Sequence, residues 1–284
     1  MHTAQEIVSR VIDLAALPSV YAKVRRLVED PNSSPDQLSK VIAMDPAITA
    51  RLLRLANSAF WGRGGRIETV SRAVRLLGMN HVHDLVLATS VATAFKGLDP
   101  AVIDIGRFWR CSVYRALAAG ALATKRDLVD VERLFLEGLL SDIGHLAMVQ
   151  SIPALVAEAE KRARLQPWTL PEIETSLIGC NFAEVGAVLA EAWVLPECFS
   201  ATIAHQINPL ASETHALEAC IVHLADRLAQ RSVQRDNAIE YPPLPEAISL
   251  LVALPEEIIA AAAADAEANL SSMAELFRPT LAVA

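Results

Sequence analysis

Asp142 lies inside FLEGLLSDIGHLAMV, Phe135 to Val149, flanked by Leu139, Leu140, Ile143 and Leu146. Bare burial of a carboxylate is very costly, so Asp142 must be ion-paired, hydrogen-bonded or bound to a ligand. His145 follows three residues later and can hydrogen-bond back to it across one helical turn. A second pattern is Arg51 and Arg54, three apart in TARLLRLANSAF, with Asn57 three further on. Together they line one side of a helix that can contact an anion or a protein partner, extended by Arg63, Arg66, Arg72 and Arg75. The plainer alternative is that Arg51 and Arg54 pair with Asp45 or Asp84 and brace a helix junction. His81 and His83 are two apart, on different helix faces, and so do not form a metal pair. Cys111, Cys180, Cys198 and Cys220 are widely spaced, with no C-x-x-C among them. They read as buried thiols in a reducing cytosol rather than as a disulfide frame or a zinc site.

The elements that must hold these groups are helices. Ala and Leu dominate, and hydrophobic residues make up 53% of 284, enough for a substantial core. Ser34 and Asp45 are candidate N-caps, each followed by a proline suited to the first helical position. TVSRAVRLLG closes on Gly78, and NHVHDLVLATSVATAF forms the next helix. A break at Lys96–Asp104 separates a first third of charge +4 from a remainder of −12. The expected division is 1–98, 99–235 and 236–284. In the second segment RFWRCSVYRALAAGALAT is a long helix, and VERLFLEGLLSDIGHLAMVQ reads as another continuous one. Leu195-Pro196 separates two more, ALEACIVHLADRLAQ follows, and a proline-bearing loop precedes an acidic helical tail with Pro255 at its start. No alternating run demands a sheet, so the fold is all-α. The acidic whole argues against general nucleic-acid binding. Neither a membrane-spanning stretch nor a leader peptide is expected.

LPSVYAKVRRLVEDPNSSPDQLSKVIAMDPAITARLLRLANSAFWG, followed by IETVSRAVRLLGMNHVHDLVLA, resembles the opening of the HDOD family. These are bacterial signalling modules related to the HD phosphohydrolases. The resemblance continues through FWRCS, FLEGLLSDIGHLAM, NFAEVGAVLAEAWVLPECFSATIAHQ and HLADRLA. It implies an N-terminal helical bundle packed on an HD-like α-helical domain. An HD hydrolase holds one or two divalent metals with histidines and aspartates, and the metal activates a bound water. Measured against that pattern, Cys111 stands for the first His, Ser141-Asp142 for the His-Asp pair, and Phe182 for a further His. His205 and Asp226 fall at remaining positions. A hydroxyl is a poor replacement for imidazole and Phe182 cannot ligate at all, so the expected metal site is absent and Asp142 is structural, accepting hydrogen bonds from His145 or His205.

The expectation is therefore a stand-alone, cytoplasmic, non-catalytic signal-transduction module without a cofactor. It would bind a partner protein or small regulatory ligand through a groove between its subdomains and the arginine-rich face. Two alternatives stand beside it. One is a metal-dependent phosphohydrolase of nucleotides or cyclic nucleotides with an unusual ligand set. The other is a nucleotide receptor that has lost its chemistry and holds phosphates on the Arg51–Arg75 region.

Overall fold

The computed structural model describes residues 1–58, 66–95, 97–164, 166–233 and 242–277, which form helices and, among these residues, no strand. In chain order the helices are α1 (Ala4–Val11), α2 (Ser19–Glu29), α3 (Pro35–Ala43), α4 (Pro46–Ala56), α5 (Val70–Leu77), α6 (Met79–Ala94), α7 (Ile105–Lys125) and α8 (Val131–Leu140). Next come α9 (Ile143–Ser151), α10 (Pro153–Ala163), α11 (Leu170–Leu177), α12 (Phe182–Ala192), α13 (Glu197–His205), α14 (Ala216–Val233), α15 (Glu246–Val252) and α16 (Glu256–Phe277). The all-α reading of the sequence holds.

Two compact units divide the chain. One is Met1–Ala15 with Gly97–Ala268, the other Ala16–Lys96 with Asn269–Ala284. The change after Lys96 falls inside the break seen in the sequence. The first fifteen residues instead group with the later segment, for a physical reason. The inward face of α1, Ile7, Val8 and Val11, is buried and packs on α9 and α12. The Trp193 indole N–H donates to Ala15 O at 3.0 Å, and His2 N to Ile178 O at 2.6 Å.

In the smaller unit the capping devices act as the sequence predicts. Ser34 accepts from the Gln37 N–H, and the Gln37 side chain returns the bond to Ser34 N, with Pro35 opening α3. Asp45 Oδ1 accepts from Ala47 N and Ile48 N at 2.9 and 3.0 Å, with Pro46 opening α4. Helices α2 and α4 pack on α6, and α3 on α5. The inward-facing Tyr21, Val24, Leu38, Ile42, Leu52 and Leu55 of these helices are buried, as are Leu85 and Val86 of α6.

In the larger unit α7 packs against α8 and α14, and α12 against α9 and α13. The single helix expected over Val131–Gln150 is broken. α8 ends at Leu140 and α9 begins at Ile143, with Asp142 at φ −103° and ψ 6° between them. Apolar periodicity runs straight through this point, so the sequence pattern does not show the break. It is held by tertiary bonds. Gln206 Nε2 donates to Ser141 O at 2.6 Å, and Asp142 makes the ion pairs described below. A carbonyl left open by a helix end needs such a donor.

Candidate functional site

Two close helix crossings set the frame of the site. Gly138 of α8 lies against the backbone of α7 at Arg115, where a Cβ would come 2.9 Å from Arg115 O. Gly144 of α9 lies against α12, where a Cβ would come 1.9 Å from Phe182 O and 2.6 Å from Gly186 N. Only the absence of a side chain lets these backbones approach so closely.

Between them lies a network of charged groups. The Arg115 guanidinium is 3% exposed. Its Nη2 donates to Asp142 Oδ2 at 2.6 Å, and its Nη1 to Asp226 Oδ1 at 3.1 Å. Nη2 also lies 3.3 Å from Ser112 Oγ. The other oxygen of Asp142 is 3.1 Å from His145 Nδ1, and the opposite face of that imidazole, Nε2, is 3.2 Å from Glu174 Oε1. Glu174 is fully buried, and its second oxygen accepts the Phe182 N–H at 2.9 Å, at the first turn of α12, where a helix terminus favours negative charge. The Phe182 ring stacks on His145, centroids 4.1 Å apart and planes 18° apart. Asp226 Oδ2 accepts from Gln230 Nε2.

These contacts fix the charges. Burial alone raises the pKa of Asp142, but Arg115 and His145 outweigh it and hold the carboxyl well below the usual carboxylate range. Burial lowers that of His145, but Asp142 and Glu174 outweigh it and push the imidazole up to about 10. Burial also works against the charge of Arg115, and the two aspartates more than restore it. Asp226 is raised, chiefly by burial and also by Asp142. The Cys111 thiol is raised by burial, with Arg115 opposing, and so stays away from the thiolate a metal would need.

The predicted site residues thus separate. Asp142 and Asp226 are brought together across Arg115. Phe182 covers His145. Cys111 lies one turn before Arg115 on α7, where Arg115, Asp142 and Asp226 all act on its thiol. Ser141 is buried, but its hydroxyl donates to Gly138 O at 3.0 Å, back onto the last turn of α8. His205 makes no hydrogen bond or ion pair with Asp142 or Asp226 among the described residues, and the neighbouring Gln206 reaches the α8–α9 break instead. Of the two donors expected for Asp142, His145 is the one found. Two residues essential to the arrangement were not singled out in the sequence, Arg115 and Glu174. Arg115 carries a faint signal, a charge in the otherwise apolar SVYRALAAGALA one turn after Cys111.

An HD hydrolase holds divalent metal at the corresponding place, and the residues present here do not fit one. Each oxygen of Asp142 and Asp226 already faces a protein donor. A guanidinium occupies the space between the two carboxylates. No cluster of three or more His, Cys, Asp or Glu side chains suited to a metal occurs among the described residues.

Another buried carboxyl lies on α8. Glu137 is fully buried, with Arg133 Nε 3.6 Å from Oε1. Arg133 Nη2 is shared with Asp130 and Glu218, each at 3.3 Å. Burial pushes Glu137 up to about 8, with Arg133 opposing.

In the smaller unit, Arg54, Arg66, Arg72 and Arg75 are exposed, and Arg51 is half-buried. Arg63 lies outside the described residues. Asp45 uses its carboxylate as a helix cap, and Asp84 lies 3.0 Å from His83 Nδ1. Asn57 acts differently from a surface contact. Its amide donates to Leu53 O and Ile67 O at 2.6 and 2.7 Å and accepts from Ile67 N at 2.7 Å. That uses its hydrogen-bonding groups within the fold.

A family model described as HDOD domain matches residues 14–209. A Treponema pallidum (strain Nichols) protein described as uncharacterized is 27% identical over 218 residues, 75% of this chain and 41% of its own. The chain therefore spans about two-fifths of the length of that curated relative. Among solved structures, a candidate phosphohydrolase from Shewanella amazonensis SB2B superposes with a TM-score of 0.76 at 25% identity, covering 95% of this chain and 97% of its own. An HDOD domain protein of unknown function from Geobacter sulfurreducens gives 0.66 at 20% identity, covering 95% and 93%. A candidate signal transduction protein from Marinobacter aquaeolei VT8 gives 0.74 at 24% identity, covering 95% of this chain and 61% of its own.

Proposed function

The chain belongs to the HDOD family, and on that premise we propose that it is a non-catalytic signal-transduction module that acts by binding a partner protein. The observation that carries this reading is the Arg115 guanidinium held between Asp142 and Asp226. These are the two carboxylates that the family resemblance assigns to metal chemistry, and both are committed to internal ion pairs. Output then comes through association. The arginines of α4 and α5 supply a basic surface, and Leu76 and Met44 in the same unit are 53% and 69% exposed. Arginine beside exposed apolar side chains suits an acidic protein surface with an apolar centre. A cytoplasmic location accords with four unpaired cysteines.

The test is affinity capture from the native host with wild-type protein and with Arg54→Glu/Arg75→Glu. A specific partner retained by the wild type and lost by the double variant, at unchanged thermal stability, supports the reading. Equal capture by both refutes the basic surface as the docking site. The rival reading, a phosphohydrolase, draws on the Shewanella amazonensis relative and its description. Metal-dependent hydrolysis of a nucleotide or cyclic dinucleotide by the wild type, abolished in Asp142→Ala, would establish that reading instead.

A further inference from the structure

We propose that Arg115 is a built-in cation: its guanidinium does the clamping work of a bound metal and, by doing so, denies Asp142 and Asp226 to one. The inference deepens the non-catalytic reading and rests on it. Three separate elements meet at this side chain. Arg115 is on α7, Asp142 is at the α8–α9 break, and Asp226 is on α14, separated from Arg115 by 27 and 111 residues along the chain. A guanidinium suits the task because its nitrogens diverge in a plane and can serve two carboxylates at once.

Every carboxylate oxygen facing the centre has its own donor: Arg115 and His145 on Asp142, Arg115 and Gln230 on Asp226. A divalent ion would have to displace a buried arginine to gain even one of them. Desolvating that arginine without its partners is more costly than leaving it in place. The position of Arg115 is also fixed from behind, since its own carbonyl packs on Gly138. The close α7–α8 crossing thus sets where the Arg115 side chain starts.

The experiment measures metal content and thermal unfolding together, on the full chain. Wild-type protein dialysed against manganese, zinc and magnesium should retain no stoichiometric metal. Its unfolding midpoint should be unmoved by EDTA. Arg115→Met leaves two carboxylates facing each other and should lower the midpoint by about 10 °C, the effect of stranding buried charges in a domain of this size. Asp142→Asn and Asp226→Asn, added to Arg115→Met, remove the stranded charges and should recover part of that loss. The outcomes separate cleanly. Metal in the wild type that EDTA strips, with a fall in stability, overturns both this inference and the non-catalytic reading. A metal-free wild type whose Arg115→Met variant is equally stable overturns this inference alone. If Arg115→Met does not fold, the triple variant decides: a triple variant no better folded than the single one overturns Arg115 as counter-ion.

Discussion

Replacing Gly144 by Ala tests whether the α9–α12 crossing positions the charged network. The added Cβ would lie 1.9 Å from Phe182 O, 2.6 Å from Gly186 N and 2.9 Å from Phe182 C. These are backbone atoms, so no rotamer change can relieve them. Ordinary contact needs about 3.5 Å, so the helices must part by roughly 1.5 Å at this point. Ala gains about 1 kcal/mol over Gly in helix propensity. Overpacking against backbone costs about 1–3 kcal/mol or more, and here it lies at the severe end. Moving α12 also draws Phe182 off the His145 ring and the Phe182 N–H off Glu174, now stacked at 4.1 Å and bonded at 2.9 Å. Losing that bond to a charged acceptor adds about 1.5–3 kcal/mol. The net destabilisation is then about 4 kcal/mol, a fall in midpoint of about 12 °C. Thermal unfolding followed by circular dichroism measures it, and titration of the His145 ring protons by NMR reports the site. The imidazole pKa should drop from its raised position near 10. A Gly144→Ala protein with a midpoint within 2 °C of wild type, or with His145 titrating as before, would refute the reasoning.

Other outcomes follow from the same buried groups. His145 is raised to about 10 and Glu137 to about 8. A raised group contributes stability that is complete below its unfolded pKa and is lost as pH climbs through the folded one. Glu137 therefore acts over about pH 4.5–8 and His145 over about 6.5–10. Urea midpoints should fall steadily from pH 5 to pH 9, and a rise over that interval would contradict both assignments. Asp142 has the opposite sign, so its contribution is present near neutrality and is lost as pH falls below the ordinary aspartate range. Glu137→Gln removes the cost of ionising a buried acid, so it should gain about 2–4 kcal/mol over wild type at pH 9 and little at pH 5. Equal differences at the two pH values would mean that the carboxyl is ionised throughout. Asn57→Ala should cost about 1–2 kcal/mol and expose the Ile67 amide to rapid hydrogen exchange. Continued protection of that amide would show that the side-chain bond does not hold it.

The parts of the fold that were legible in the sequence were those written in local chemistry. Ser34-Pro35 and Asp45-Pro46 announce helix starts because cap and first-turn preferences act within three residues. Gly78 ends α5 with a positive φ of 87°, a conformation that disfavours a side chain. The candidate site was legible only in outline. Asp142 was conspicuous because a carboxylate in FLEGLLSDIGHLAMV contradicts its surroundings, and His145 was reachable because it is one turn away. Arg115 and Glu174 lie 27 and 32 residues from Asp142 in the chain, and no periodicity encodes such a meeting. The hydrogen bonds of Asn57 were hidden for the same reason. Its spacing from Arg54 suggested a shared surface, whereas its partner, Ile67, lies ten residues on.

The larger unit is discontinuous, and this bears on how the chain acquires its structure during synthesis. Its first helix is made, then the whole of Ala16–Lys96 emerges before α7, α9 and α12 exist to receive it. Ile7, Val8 and Val11 must wait, unburied, for partners more than 130 residues away along the chain. Such long-range closure slows folding and lengthens the time apolar surface stays exposed. A fragment beginning at Gly97 would keep every charged residue of the network yet lack α1, leaving the α9–α12 face and the indole N–H of Trp193 without the cover that Ala15 and its helix provide. Helix α1 thus precedes every other helix of the larger unit in the chain, yet finds its cover only once α9 and α12 have followed.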